Sequence, residues 1–590
     1  MARPPAAVRA QPAGARGARA AGRAGPAGLA LAAVSVALTF TVAILGPSVM
    51  EPSLPGRPGQ PPWSLAVHPS AYLVVALTAA ALAAGTAGLA LIIAATRQGW
   101  TISPRLVLGA GIVAAAALTL VPPFGSSDHL SYAAYGRMVI TGHDPYTTTP
   151  AALARLGDPI ARAVQDWRSS PSVYGALATS GQALASLVGG TSVRLTVFAL
   201  SVLDFVAFTL TGLLLHRLAR GDRARQLRAA AAWTANPLLL QVLVAGAHVD
   251  VQAVLFAIGA LAVLVWLLPG RLPAGQRPES QPRQAVIAAG AGGLVGLGFA
   301  VKATMVLVGA GLALACVLAW RGRQGGPAGW RGPVPVLGGL ALGFCATAGA
   351  CLLVWGPASL GPALRAGSYV SVGSPWRAVR SLLHHAIGIG EGTAEDVVKA
   401  GALVLAIVLL VLLVASICRA APGRWPAVPG LRAPGGLRAP GGLRAPGGWG
   451  ADRPVSGGPV SGGLVTGGVV AGGVVAGGPG AAAALLAPGA AFAVTFAWLT
   501  AWPYVLPWYD GLGWALLALL PWSRLDWLML ARTAALAFGY LPARARGVVM
   551  PAGLGWLETV GRTAITPAVL LAVTVALVVM LWPRPGRLRL

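Results

Sequence analysis

Acidic residues are scarce in this chain. Only 16 Asp and Glu stand against 43 Lys and Arg in 590 residues, and charges of either sign make up 10%. Such poverty of charge excludes an ordinary soluble domain, where about a quarter of residues are charged. Cysteine is also nearly missing. Cys316, Cys345, Cys351 and Cys418 all sit inside apolar segments without CxxC spacing, so neither a redox motif nor a cysteine metal site is indicated. What is abundant is apolar: 56% of residues are hydrophobic and mean hydropathy is +0.72, which places the chain in the membrane class. The net charge of +27 would point to nucleic acid in a soluble protein. Here the basic residues are almost all Arg in short connections between apolar segments, so they read as topology signals and headgroup contacts, with no nucleic acid as partner. Nineteen Trp suit a chain that crosses many bilayer interfaces.

Taken in order, residues 1–27 form a basic tail expected to be disordered and cytoplasmic, because Arg3, Arg9, Arg16, Arg19 and Arg23 precede the first span. Residues 28–418 form the transmembrane core. Residues 419–480 are low complexity, with LRAPGG repeated and then Gly-ending pentads, and read as a flexible cytoplasmic insert. Residues 481–583 add C-terminal spans, and 584–590 a basic cytoplasmic tail. A hydrocarbon core of ~30 Å needs about 20 residues per helix, and the apolar runs then amount to about 14 helices in an all-α polytopic fold. The arginines at 217–228 orient the chain. On that orientation two long polar loops, 122–190 and 356–398, lie outside the cytoplasm. The breaks at His248/Asp250, Lys302 and Trp508-Tyr509-Asp510 fall on the same side.

The first of these loops is where polar chemistry concentrates, in SDHLSYAAYGRMVITGHDPYTTTP, Ser127–Pro150. Asp128 opens it close to the membrane interface, where a carboxylate can serve as a base; capping the following helix is the alternative. Tyr132 and Tyr135 recur at helical spacing, which predicts a short amphipathic helix along the membrane surface. Arg137 either clasps a phosphate or snorkels to headgroups. Asp144 and Tyr146 belong to the turn HDPY, where Asp144 is first a turn former and only then a second acid or metal ligand. His248 and Asp250 are ionisable groups at a helix break, where function competes with a buried structural role. Lys302 interrupts an apolar stretch and is expected to face a phosphate. Arg377 and Arg380 in the second loop are candidates for the phosphate head of a lipid carrier, or interfacial charge. Trp508, Tyr509 and Asp510 combine an aromatic belt with one carboxylate.

D-x-x-x-Y-A-A-x-G-R followed by G-H-D-P-Y, then NP…GAHVD, GFAVKAT and PWYDGLGW, resembles actinobacterial polyprenol-phosphomannose-dependent α-(1→6)-mannopyranosyltransferases. The resemblance implies a GT-C-like helical bundle in the plasma membrane with its active site on the extracytoplasmic face. It implies Asp128 as catalytic base or essential acid, a polyprenyl-phosphate-linked sugar as donor, and a glycan or glycolipid acceptor such as a lipoglycan. Many GT-C enzymes pair two acids at this place. Here Ser127 and His129 flank Asp128, which leaves a divalent cation an open question, and no other cofactor is implied. The rival reading is a transporter or flippase of a lipid-linked sugar. It would call for an internal repeat and polar groups on both faces, and neither is evident.

Overall fold

The computed structural model describes residues 13–267, 281–321, 333–361, 369–419, 479–543 and 550–582. Most of the expected insert, the C-terminal tail and residues 1–12 lie outside them. The described residues are helical, with eight helices long and apolar enough to cross a membrane and three shorter apolar ones beside them. The chain is a multi-pass membrane protein. In water the exposed Leu106, Leu342 and Leu353 side chains would be costly, whereas against lipid they lose nothing. One continuous apolar core joins Val42 near the start to Leu581 near the end and is filled by Trp233, Phe208 and Trp514.

Helix boundaries follow local chemistry. Ser70 and Ser192 accept N–H groups of Leu73 and Leu195 at the starts of Ala71–Arg97 and Val193–Leu218. The first helix spans Ala13–Leu45, so it takes in much of the stretch expected to be tail. Alanine-rich sequence with interspersed arginines is a good helix former. The apolar run 229–245 is not one straight span. Asn236 caps Pro237–Leu239, and a π-helical turn, Leu240–Ala245, follows. The second polar loop ends early, because Glu391 opens a helix that runs to Arg419.

The expected break at Lys302 is present. The helix Gln281–Phe299 ends, Lys302 is extended, and the chain resumes through Ala303–Met305 into Val306–Arg321. The helix Asp128–Ile140 differs from expectation. It does not lie on the surface with one polar face: His129 to Gly136 and Met138 are all buried. Its small residues let it press into the structure. A Cβ on Gly136 would sit 2.0 Å from the Gln182 carbonyl oxygen of the helix Ala176–Gly189. That second helix is tied in turn to the Lys302 break, since the N–H groups of Gly175 and Leu177 donate to Val301 and Ala300 at 3.1 and 2.8 Å.

Candidate active site

Asp128 is the first residue of its helix, yet it does not act as a cap. Its Oδ1 accepts the Trp167 indole N–H at 3.2 Å, and its own N–H donates to Ser126 Oγ at 3.0 Å. The segment carrying Trp167 is stitched to this helix along its length. Ser127 Oγ donates to Asp166 Oδ2 at 2.7 Å, Ser131 Oγ to the Asp166 carbonyl at 3.3 Å, and Tyr135 Oη to the Ser170 carbonyl at 3.0 Å. Trp167 itself has φ +60, a backbone that non-glycine residues rarely adopt and that tends to mark a functional constraint.

Opposite lies the break after the π-turn. Ala247 has φ +49, and the chain turns to present His248. The imidazole stacks on Trp508 with ring centroids 3.7 Å apart, and its Nδ1 stands 3.7 Å from Asp128 Oδ2. Asp250 accepts Lys302 Nζ at 2.5 Å, while the ammonium also lies 3.9 Å over the Tyr509 ring. Lys302, Trp508 and Tyr509 line a cavity of about 300 Å³, and His248 and Asp250 act on it through them, one stacked on Trp508 and the other paired with Lys302. Asp128 and Lys302 reach it, and Tyr132, Tyr174, Tyr369, Tyr504 and four tryptophans form much of its wall. The wall is continuous through ring contacts: Tyr132 with Tyr174 at 5.0 Å, Tyr369 with Tyr504 at 5.8 Å, and Tyr504 with Tyr509 at 6.1 Å.

Burial raises the Asp128 pKa to about 7, against the Lys302 charge and the Trp167 hydrogen bond, which lower it. Burial lowers His248 well below its ordinary range, with the Lys302 charge adding to the shift. The ring is therefore neutral, and its approach to Asp128 is no ion pair. Burial also lowers Lys302, opposed by the Asp250 carboxylate. The result is a carboxyl group poised near neutrality beside a paired ammonium, inside aromatic walls. That can take a proton, hold an anion and stack against a sugar ring.

Residues 25–318 match a protein-family model described as "Alpha-(1->6)-mannopyranosyltransferase, N-terminal domain". The chain belongs to this family. It is 30% identical over 148 residues to alpha-(1->6)-mannopyranosyltransferase A of Corynebacterium glutamicum, covering 25% of this chain and 30% of that relative. Over 180 residues it is 31% identical to an alpha-(1->6)-mannopyranosyltransferase of Mycobacterium tuberculosis, again 30% of the relative's length and 28% of this chain. A probable alpha-(1->6)-mannopyranosyltransferase of Mycolicibacterium smegmatis is 32% identical over 133 residues, 22% of this chain and 24% of the relative. These alignments thus span less than a third of each relative. No solved structure matches the chain. The matched segment carries the two charged residues of the cavity wall, Asp128 and Lys302, with Tyr132, Trp167 and Tyr174, and also His248 and Asp250 next to that wall. The rest of the aromatic wall, Tyr369 and residues of Trp498–Tyr509, comes from beyond it.

The structure brings together Asp128, Tyr132, Tyr135, His248, Asp250, Lys302, Trp508 and Tyr509 from widely separated parts of the chain. Other candidates are engaged elsewhere. Arg137 donates to Asp158 at 2.7 Å and to the Gly190 carbonyl, so it is neither a phosphate clasp at the cavity nor a snorkelling side chain. Asp144 closes its turn on the Tyr146 N–H and the Thr147 hydroxyl. Tyr146 meets Thr179 and the Trp355 ring. Arg380 is held by Glu395 and Glu391, and Arg377 is exposed on the helix Pro375–Ser381, outside the cavity lining. Asp510 points behind the aromatic wall, bonded to Arg532 at 3.0 Å and Thr533 at 2.7 Å. Its neighbours line the cavity, but it does not.

Trp167, Tyr174, Tyr369, Trp498, Trp502 and Tyr504 were not singled out in the sequence, although all line the cavity. A signal existed for two of them, since Trp502 and Tyr504 fall in the aromatic run WPYVLPWYDGLGW. Among the described residues no three His, Cys, Asp or Glu side chains converge as a cation's ligands would. The charge paired with Asp250 is the Lys302 ammonium.

Proposed function

We propose that this protein is a membrane mannosyltransferase, moving mannose in α-1,6 linkage from a polyprenyl monophosphate carrier to an extracytoplasmic glycan or glycolipid acceptor at the plasma membrane. The observation that carries this reading is the pairing of Asp128 and Lys302 across one aromatic-walled cavity, in the segment shared with the mannopyranosyltransferase family. The names of the relatives supply the sugar and linkage. The carrier rests on the cation and on the sequence resemblance.

In this mechanism the Asp128 carboxylate takes the proton of the acceptor hydroxyl as its oxygen attacks the anomeric carbon and the bond to phosphate breaks. Lys302 meets the charge on the departing phosphate. An ammonium has more donors than the Asp250 carboxylate uses, so the pair holds Lys302 in place without exhausting it. Since the leaving group is a phosphate, this charge stabilisation takes the place of a separate general acid. Tyrosine and tryptophan faces hold the sugar, and His248, pinned on Trp508, limits where the Asp128 carboxylate can turn.

The test uses purified protein, radiolabelled polyprenyl-phosphomannose and a short mannan acceptor. Asp128→Asn is expected to lower turnover by about 10² to 10⁴ with donor affinity little changed. Lys302→Met is expected to weaken donor binding first. Wild-type protein that transfers no mannose, or Asp128→Asn within a few-fold of wild type, would overturn the reading.

A further inference from the structure

A second, polar groove lies on the far side of the segment that holds Asp128. It has a volume of about 480 Å³, and its lining includes Ser53, Pro55, Arg162, Gln165 and Arg168. Arg162 and Arg168 are exposed, and no acidic residue is in the lining. The acids nearest in sequence are placed elsewhere: Asp158 holds Arg137, Asp166 turns to Ser127, and Glu51, two residues before Ser53, is buried where it feels the Arg194 charge. A third guanidinium supports the opposite wall, where Arg194 donates through Nε to the Leu54 carbonyl at 3.3 Å and through its N–H to Pro55 at 3.0 Å. The segment 165–168 divides its side chains between two sides. Gln165 and Arg168 face the groove, whereas Asp166 and Trp167 face the Asp128 helix. The Arg168 carbonyl also accepts the Ala151 N–H at 2.8 Å, which fixes the arginine's backbone from behind.

We propose that this groove is an anion subsite, with Arg162 and Arg168 gripping a phosphate group and Gln165 and Ser53 offering further hydrogen bonds. Two guanidiniums on fixed backbone match the oxygens of a phosphate ester better than point charges would. The groove is distinct from the Lys302 cavity and does not depend on the reaction proposed above. The phosphate could belong to a lipid headgroup of the surrounding bilayer or to a water-borne or glycan-borne phosphate. The chemistry is the same, and the experiment separates the sources.

Full-length protein in nanodiscs of neutral phosphatidylcholine is titrated with inorganic phosphate, and compared with nanodiscs containing phosphatidylglycerol. The readout is the shift in unfolding temperature, since a ligand that binds the native state raises it. Arg162→Gln/Arg168→Gln is the test variant. Arg220→Gln/Arg223→Gln removes the same charge from a remote exposed site, and Lys302→Met reports on the cavity. The expected result is a saturable shift kept by Arg220→Gln/Arg223→Gln, kept by Lys302→Met apart from any share due to phosphate in the cavity, and shown by Arg162→Gln/Arg168→Gln only with apparent affinity about ten-fold weaker or worse, as loss of charge-assisted contacts predicts. A shift with phosphate in neutral discs assigns the groove to a soluble or glycan phosphate, and one only with phosphatidylglycerol to a lipid headgroup. Equal responses in all variants, loss only in Lys302→Met, or no shift with either anion would overturn the proposal. Because the readout is binding, it stands whether or not mannose transfer is found.

Discussion

Trp167 shows how one side chain tunes another. Its indole N–H favours the ionised form of Asp128, which burial otherwise disfavours. With the carboxyl near pH 7, the base form predominates above that value, so kcat/KM is expected to rise through about pH 7 in the free enzyme. Trp167→Phe keeps the ring and removes the donor, leaving the carboxylate less stabilised. The rising limb should therefore move to higher pH, with activity recovered once the pH is high enough. A pH–rate profile of the two proteins checks this, and an unmoved limb would mean that the indole only fills space. His248 is a different case. Its stacking on Trp508 is a packing contact, so its removal should affect turnover without setting the limb.

The element that matters most is the helix Asp128–Ile140. Its position depends on close backbone approach, because Gly136 faces the Gln182 carbonyl with no room for a methyl group. Gly136→Ala is expected to destabilise the protein by about 1–3 kcal/mol, as overpacking of a filled interior does, or to push the helix away and misplace Asp128. Measured unfolding together with donor turnover distinguishes the two. If neither changes, the packing described for this pair of helices is wrong. The neighbouring connection from Gly175 and Leu177 to Ala300 and Val301 explains why the pair matters: one helix sets Asp128, the other sets Lys302.

For the whole molecule, two predictions concern topology. The helices Glu391–Arg419 and Pro479–Ala501 pack against each other directly, and Leu409, Leu413 and Phe492 share the core. Deleting Leu431–Gly478 should therefore leave transfer activity nearly intact, and loss of activity in a deletion that still inserts would identify this repetitive segment as functional. From the arginine distribution the first long loop is expected to lie outside the cytoplasm. In a cysteine-free background, Thr148→Cys should react with an impermeant reagent in intact cells and Arg220→Cys should not; the reverse pattern would invert the topology.

Membrane class, helical architecture, the breaks at His248 and Lys302, and Asp128 as a candidate base were all legible along the chain. Each follows from local physics: hydropathy over about 20 residues marks a span, and an ionisable group within an apolar stretch is too costly to be incidental. What partners those groups would find was settled only in three dimensions. Arg137, Arg380 and Asp510 looked like site residues because charge is rare in this chain, but each is satisfied by a partner 15 or more residues away. The burial of the Asp128 helix was hidden for a similar reason, since polar tyrosines and serines read as a surface face until the Asp166 and Ser170 carbonyls are seen to accept Ser131 and Tyr135, and Tyr174 to donate to Tyr132. The aromatic wall drew Trp167 and Tyr369 from the two long polar loops and Tyr504 from a third connection. Spacing along the chain carries no record of that convergence, because it depends on how the helices pack and not on any one segment's own preference.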